Sequence, residues 1–181
     1  MPLTPFHFGP GLFGKSLVSR HFSWTAFVAS QILIDLETLY YLSQGVYPVH
    51  RFFHTFLGAT IAGVLAGLIL VGTRHWLGKR SAVVLGLMKT RRPSLESELS
   101  NIGLVVGALV GGLSHPFLDG IMHRDIRPFA PWAERNPLLQ LIDIQALHLG
   151  CIFLGIIGFL FMAIRLHREA LTNNSLTRGK S

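Results

Sequence analysis

Residues 99–122 read LSNIGLVVGALVGGLSHPFLDGIM, an apolar run with neither lysine nor arginine and a single carboxylate near its end, Asp119. A helix rises about 1.5 Å per residue, so about 20 such residues cross a hydrocarbon core of about 30 Å. Within the run Gly103, Gly107 and Gly111 recur every four residues, the spacing that lets helix backbones approach closely in lipid. The same row then continues into His115, Asp119 and His123, on neighbouring turns of nearly one face. The stretch therefore predicts a membrane span whose last turns carry chemistry.

Working outward, similar blocks lie near 22–42, 55–73 and 143–164, and Ala59, Gly63 and Gly67 repeat the small-residue spacing on one of them. Half of the 181 residues are hydrophobic and only 14% are charged, with a mean hydropathy of +0.47. A soluble domain alternates its core and surface residues more finely. The expected fold is all-α, a multi-pass transmembrane bundle of four to five helices. Residues 1–170 form one integral membrane domain, interrupted by a basic loop over 74–98 and followed by a polar tail over 171–181.

The segment 3–20 admits three readings: a short fifth span, a re-entrant helix or an interfacial helix. Pro10, between Gly9 and Gly11, starts a helix too late for a comfortable crossing. Lys15 and Arg20 follow its apolar part instead of preceding it, which argues against a secretory signal. Cys151 is the sole cysteine, so there is no intramolecular disulfide and no cysteine zinc motif.

A net charge of +7 and a pI near 10.3 raise the question of nucleic acid. The basic residues instead sit beside apolar blocks without interleaved aromatic platforms, and no nucleic-acid partner is expected. Topology accounts for them: 12 of the 16 lysines and arginines fall in the N-terminal segment, the loop 74–99 and the C-terminal stretch from Arg165 onward. The positive-inside rule places those three regions in the cytoplasm and 43–53 and 123–142 outside.

That orientation brings one chemical class to one side. Asp35 and Glu37 stand near the outer end of the second block, the third is led in by His50-Arg51-Phe52-Phe53-His54-Thr55, and Asp143 and His148 open the last. His7 joins them if the N-terminal segment starts outside. A carboxylate near the centre of a membrane helix costs about 2.5–3.5 kcal/mol on insertion scales. Arg51 or Arg124 could offset part of that, but a divalent cation held by carboxylates and imidazoles offsets more. Mixed histidine and carboxylate ligation without cysteine favours zinc and also admits manganese or iron. There are more ligands than one tetrahedral ion needs, which leaves room for two.

Thr4-Pro5-Phe6-His7, Asp35-Leu36-Glu37, the 50–55 segment and His115-Pro116-Phe117-Leu118-Asp119-Gly120 with Arg127-Pro128-Phe129 together resemble the YdjM-like membrane-bound metal-dependent hydrolases, over about residues 4–130. Those proteins are similar in turn to zinc-dependent phospholipase C and single-strand nucleases. The resemblance implies metal ligation by His7, Asp35, His54, His115 and Asp119; the expected location is a prokaryotic plasma (inner) membrane, with the C-terminus cytoplasmic by the charge asymmetry above. The family spaces its middle histidines one residue wider, so His50 and His54 compete for one role, and His123 is a further candidate ligand. Glu37 lies two positions from Asp35, about 200° around an ideal helix, and is the candidate catalytic proton acceptor.

The function these residues suggest is hydrolysis by metal-activated water near the outer leaflet, with a phosphoester or lipid as substrate and Arg124 and Arg127 as anion-binding groups. A divalent-metal transporter and a non-catalytic, metal-stabilised membrane adaptor are the alternatives. The bilayer is the one partner expected; oligomeric state is not legible.

Overall fold

The computed structural model describes residues 5–18, 21–78, 98 and 100–178. Among them are five α-helices and no strands: α1 (Phe8–Leu17), α2 (Trp24–Ser43), α3 (Phe56–Gly78), α4 (Asn101–Met122) and α5 (Ile144–Arg178), with 3-10 turns at Pro5–His7 and Phe52–His54. The chain is thus all-helical, as expected. The basic segment 79–97, which carries much of the charge asymmetry, lies outside the described residues.

Three helices are long and apolar enough to cross a membrane, over Phe56–Trp76, Asn101–Met122 and Ile144–Thr172. Four spans were expected. The fourth, α2, has 20 residues, but Gln31, Asp35, Glu37 and Thr38 make it less apolar than its neighbours. α1 has only 10 residues, about 15 Å of helix, which is half a hydrocarbon core and no full fifth span. It packs along α5, where Gly9 meets the backbone of Cys151 and Gly158 meets that of Phe13. α5 runs past 164 and through the start of the expected polar tail to Arg178, helped by Arg165 Nε donating to Glu169 Oε1 one turn on at 3.3 Å.

The glycine rows do what their spacing predicts. A Cβ on Gly112 would come within 2.5 Å of Ala59 O on α3, and one on Gly63 within 2.8 Å of Ala108 O on α4. Gly107 and Gly111 face the backbone of α2 at Ser23 and Phe27. Hydroxyl and carboxylate caps start the helices: Ser23 accepts from Ala26 N, Ser100 from Gly103 N, and Asp143 from Gln145 N and Ala146 N. Ser23 N also donates to Gly103 O at 2.9 Å, joining the starts of α2 and α4.

The resulting α2–α3–α4 bundle packs apolar side chains in its middle, with Ala26, Ala66, Leu104 and Ala108 in one buried cluster and Ile34, Ala59 and Ala62 in another. At one end the loop after α4 folds back, where Asn136 Nδ2 donates to Gly120 O and His123 O and Phe56 N donates to Pro128 O. This end holds the cluster of histidines and carboxylates.

Candidate metal centre

α4 presents His115 and Asp119 one turn apart, with His115 Nε2 3.1 Å from Asp119 Oδ2. Across from them α2 brings Asp35, whose Oδ1 lies 3.4 Å from the same nitrogen. The 3-10 turn before α3 brings His54, its Nε2 3.7 Å from Asp119 Oδ2. One ligand atom from each of these four buried residues lies within 4.8 Å of the others. The turn before α1 adds His7, with Nε2 3.0 Å from Asp119 Oδ1. All five expected ligands thus meet, on four elements that converge at one end of the bundle.

These separations, from 3.0 to 3.7 Å, bracket those a shared metal would set, and the two shortest also suit direct imidazole–carboxylate pairs. Zinc bonds of about 2.0–2.2 Å in a tetrahedron set donor atoms about 3.3–3.6 Å apart. His7 Nε2, His115 Nε2 and Asp119 Oδ1 are buried yet form no hydrogen bond among the described residues, although the ion-pair distances above are short. Proximity without alignment is what atoms aimed at a common centre give, and a buried polar atom left unpaired is costly.

The far side of each ring fixes which nitrogen faces that centre. His115 Nδ1 is paired with Gln31 Oε1, an acceptor, so Nδ1 carries a proton and Nε2 is the nitrogen turned toward Asp35 and Asp119. Gln31 is held in turn by donating to Ser114 Oγ at 3.2 Å. His54 Nδ1 lies 3.3 Å from Glu37 Oε2, which leaves its Nε2 for the centre, with Thr38 Oγ1 3.3 Å away.

This assigns Glu37 differently from the sequence. Its Oε2 also accepts from Phe53 N at 2.9 Å and Arg51 N at 3.3 Å, so the carboxylate shapes the His54 turn. The cause is helix geometry: two positions beyond Asp35, Glu37 points away from Asp35's centre and toward the turn.

His50 and His54 do not compete, because they enter different groups. His50, His123 and Asp125 form a second set of ligand atoms within 4.8 Å of one another. His50 Nδ1 lies 2.8 Å from Asp125 Oδ2, and the His50 and His123 ring centroids are 4.5 Å apart. Burial, and then the neighbouring His54, pushes the His50 pKa down; burial is also the main cause lowering that of His123. Burial alone would raise Asp125, but the hydrogen bond and charge of His50 outweigh it and hold the carboxyl low.

The arginines stand apart. Arg124 is exposed, and Arg127 pairs loosely with Glu134 at 3.7 Å on the surface. Arg51 lies over the Tyr41 ring, 3.9 Å from its centroid, and donates from Nε to Pro48 O. Among the described residues neither Arg51 nor Arg124 pairs with Asp35 or Asp119, so imidazoles alone face these carboxylates. His148 stacks on Phe6 at 4.2 Å and Asp143 is a helix cap; neither joins a metal group.

Two cavities of about 580 Å³ each flank this end and share Pro48, His50 and Asp125. One reaches Thr38 and His123 beside the five-residue centre, and the other is lined by Arg51, Thr55 and Arg127.

Sequence reasoning missed Gln31, Thr38 and Asp125. Gln31 had a signal, an amide one turn before Asp35 in an apolar block. Asp125, hidden in the charged run after His123, had none that set it apart.

A family model described as a domain of unknown function, DUF4184, matches residues 1–180. No curated protein and no solved structure matches the chain.

Proposed function

The chain belongs to the DUF4184 family, whose description assigns no activity, and from its own residues we propose that it is a membrane-embedded, metal-dependent hydrolase acting on a phosphoester or lipid at the outer leaflet. The observation that carries the reading is the convergence of His7, Asp35, His54, His115 and Asp119 with three buried atoms left unpaired. A divalent ion, zinc by the donor set, would lower the pKa of a bound water and polarise a phosphoryl or acyl oxygen.

The residues divide the remaining work. Gln31 and Glu37 hold His115 and His54 in the tautomer that presents Nε2. Asp35, the most exposed of the four grouped ligands, is the carboxylate best placed to accept a proton from an incoming group. Arg51 and Arg127 supply positive charge to the adjoining cavity, which suits an anionic headgroup. The lysine and arginine asymmetry supports the outward orientation and a cytoplasmic C-terminus.

A transporter fits less well. A conduction path would have to continue past the site, where the small side chains of Ala26, Ala59, Ala62, Ala66 and Ala108 pack the bundle closed. Turnover by metal-loaded protein on a panel of phosphoesters, lipids and amides, against an Asp119→Asn background, tests the proposal. Hydrolysis confined to the wild type is expected. No turnover on any substrate would overturn the enzyme reading, and metal uptake into proteoliposomes would then separate transporter from adaptor.

A further inference from the structure

The second group, His50, His123 and Asp125, stands where the first centre opens to the cavities. Asp125 is a carboxylate and can only accept, so the 2.8 Å contact places the proton on His50 Nδ1 and leaves Nε2 as a free donor atom. His50 N donates to the same Asp125 oxygen at 3.4 Å, which fixes the carboxylate against the turn. This is the carboxylate–histidine arrangement that orients metal ligands. His123 caps α4, and Asn136 ties down its carbonyl, so its ring is held on a fixed backbone beside the His50 ring.

The two groups adjoin. His123 Nε2 lies 3.9 Å from Asp119 Oδ1, the oxygen that the four-residue centre leaves to His7, and the His50 and His54 ring centroids are 4.7 Å apart. Asp119 therefore presents one oxygen to His115 and His54 and the other toward His7 and His123. A carboxylate with donor sets on both oxygens has the disposition of a bridge between two ions. The second set is also the more open: the His123 and Asp125 side chains are 22% and 33% exposed, against 0–12% for the first four.

We propose that His50 and His123, with Asp125 orienting the His50 ring and Asp119 at the border, form a second divalent-cation site that faces the cavities and exchanges its ion more readily than the inner centre. The proposal rests on the metal reading of the first centre, whose Asp119 it shares. An ion there would stand between the inner centre and the cavity lined by Arg51 and Arg127, where an anionic phosphoryl group would meet it first.

Full-length protein in detergent, stripped with chelator, reloaded with Zn²⁺ and desalted, tests the site by elemental analysis. Two zinc ions per chain are expected, the second removed by brief passage over a chelating resin. His123→Ala and, separately, Asp125→Asn should reduce the count to one while leaving the resin-resistant ion in place. Asp125→Asn keeps the shape of a part-exposed side chain and guards against a variant that does not fold. Its affinity for the second ion should fall about 10–100-fold.

One tightly held ion in the wild type, unchanged in both variants, would overturn the second site and leave the first standing. Two ions indifferent to both substitutions would overturn it as well. No zinc in the wild type would overturn the metal reading itself, and this proposal with it. Mn²⁺ electron paramagnetic resonance gives an independent readout: at two equivalents the wild-type spectrum should be broadened by spin coupling, and His123→Ala should return it to an isolated six-line pattern. An uncoupled wild-type spectrum would place the second ion elsewhere.

Discussion

Replacing Gln31 with Leu removes the acceptor of the His115 Nδ1–H bond while keeping a side chain of similar size in a buried position. His115 is wholly buried, so no water replaces the lost partner, and the ring no longer has a reason to present Nε2 to Asp35 and Asp119. Loss of such an outer partner typically weakens metal binding about 10–100-fold, or about 1.4–2.7 kcal/mol. Fold stability should suffer less, because the apolar side chain fills the same buried volume without a polar group to satisfy. Zinc affinity, measured by chelator competition, should therefore drop at least about tenfold in Gln31→Leu. Gln31→Glu restores an acceptor and should recover most of it. An affinity within about threefold of wild type for Gln31→Leu, with the protein folded, would refute the idea that this pair sets the tautomer of His115.

Glu37→Gln keeps an acceptor for Phe53 N but weakens the hold on His54 Nδ1. Bound metal and turnover should fall together, as for a residue that positions a ligand; turnover falling alone at full metal occupancy would restore Glu37 as a proton acceptor. At the other end of the bundle Glu98 pairs with the buried Lys15 at 2.6 Å and accepts from Trp24 N and Thr25 N. Burial alone would raise its pKa, but Lys15 and those N–H groups outweigh burial and hold it low. Its contribution should be complete above the ordinary glutamate value of about 4.3 and be lost as pH falls through the lower folded value. Glu98→Ala should flatten that acid limb of the melting-temperature profile and cost about 3 kcal/mol by removing the carboxylate that offsets the buried Lys15 charge; an unchanged profile would count against the pair. For orientation, single cysteines at Ser81 and Ala133 should label from opposite faces of the membrane, and labelling from one face would contradict the charge-based topology.

Much of this architecture could be read before any coordinates. The glycine rows of α3 and α4 predict close crossings because a four-residue spacing has one meaning for helices in lipid. The same periodicity, carried on into His115 and Asp119, aims both at the neighbour that bears Asp35. What could not be read depends on how elements meet. No spacing rule says that the His50–Thr55 turn sends its two histidines into different groups, since that follows from the 3-10 turn at Phe52–His54. Nor could α1 be settled from Pro10: its 10-residue length and its seat on α5 come from Gly9 and Gly158 fitting each other's helices, a pairing between distant residues. Glu37 shows the limit from the other side, because the 200° offset was legible and only the turn it faces reveals what the carboxylate does.

X-ray absorption at the zinc edge, on purified protein loaded with zinc, tests the central claim most directly. The inner centre predicts a first shell made only of nitrogen and oxygen at about 2.0–2.1 Å, with outer scattering from imidazole rings, and loss of that shell in Asp119→Asn. A sulfur shell near about 2.3 Å, which Cys151 alone could supply, or a spectrum of hexa-aqua zinc without imidazole scattering, would contradict a centre built from Asp35, His54, His115 and Asp119.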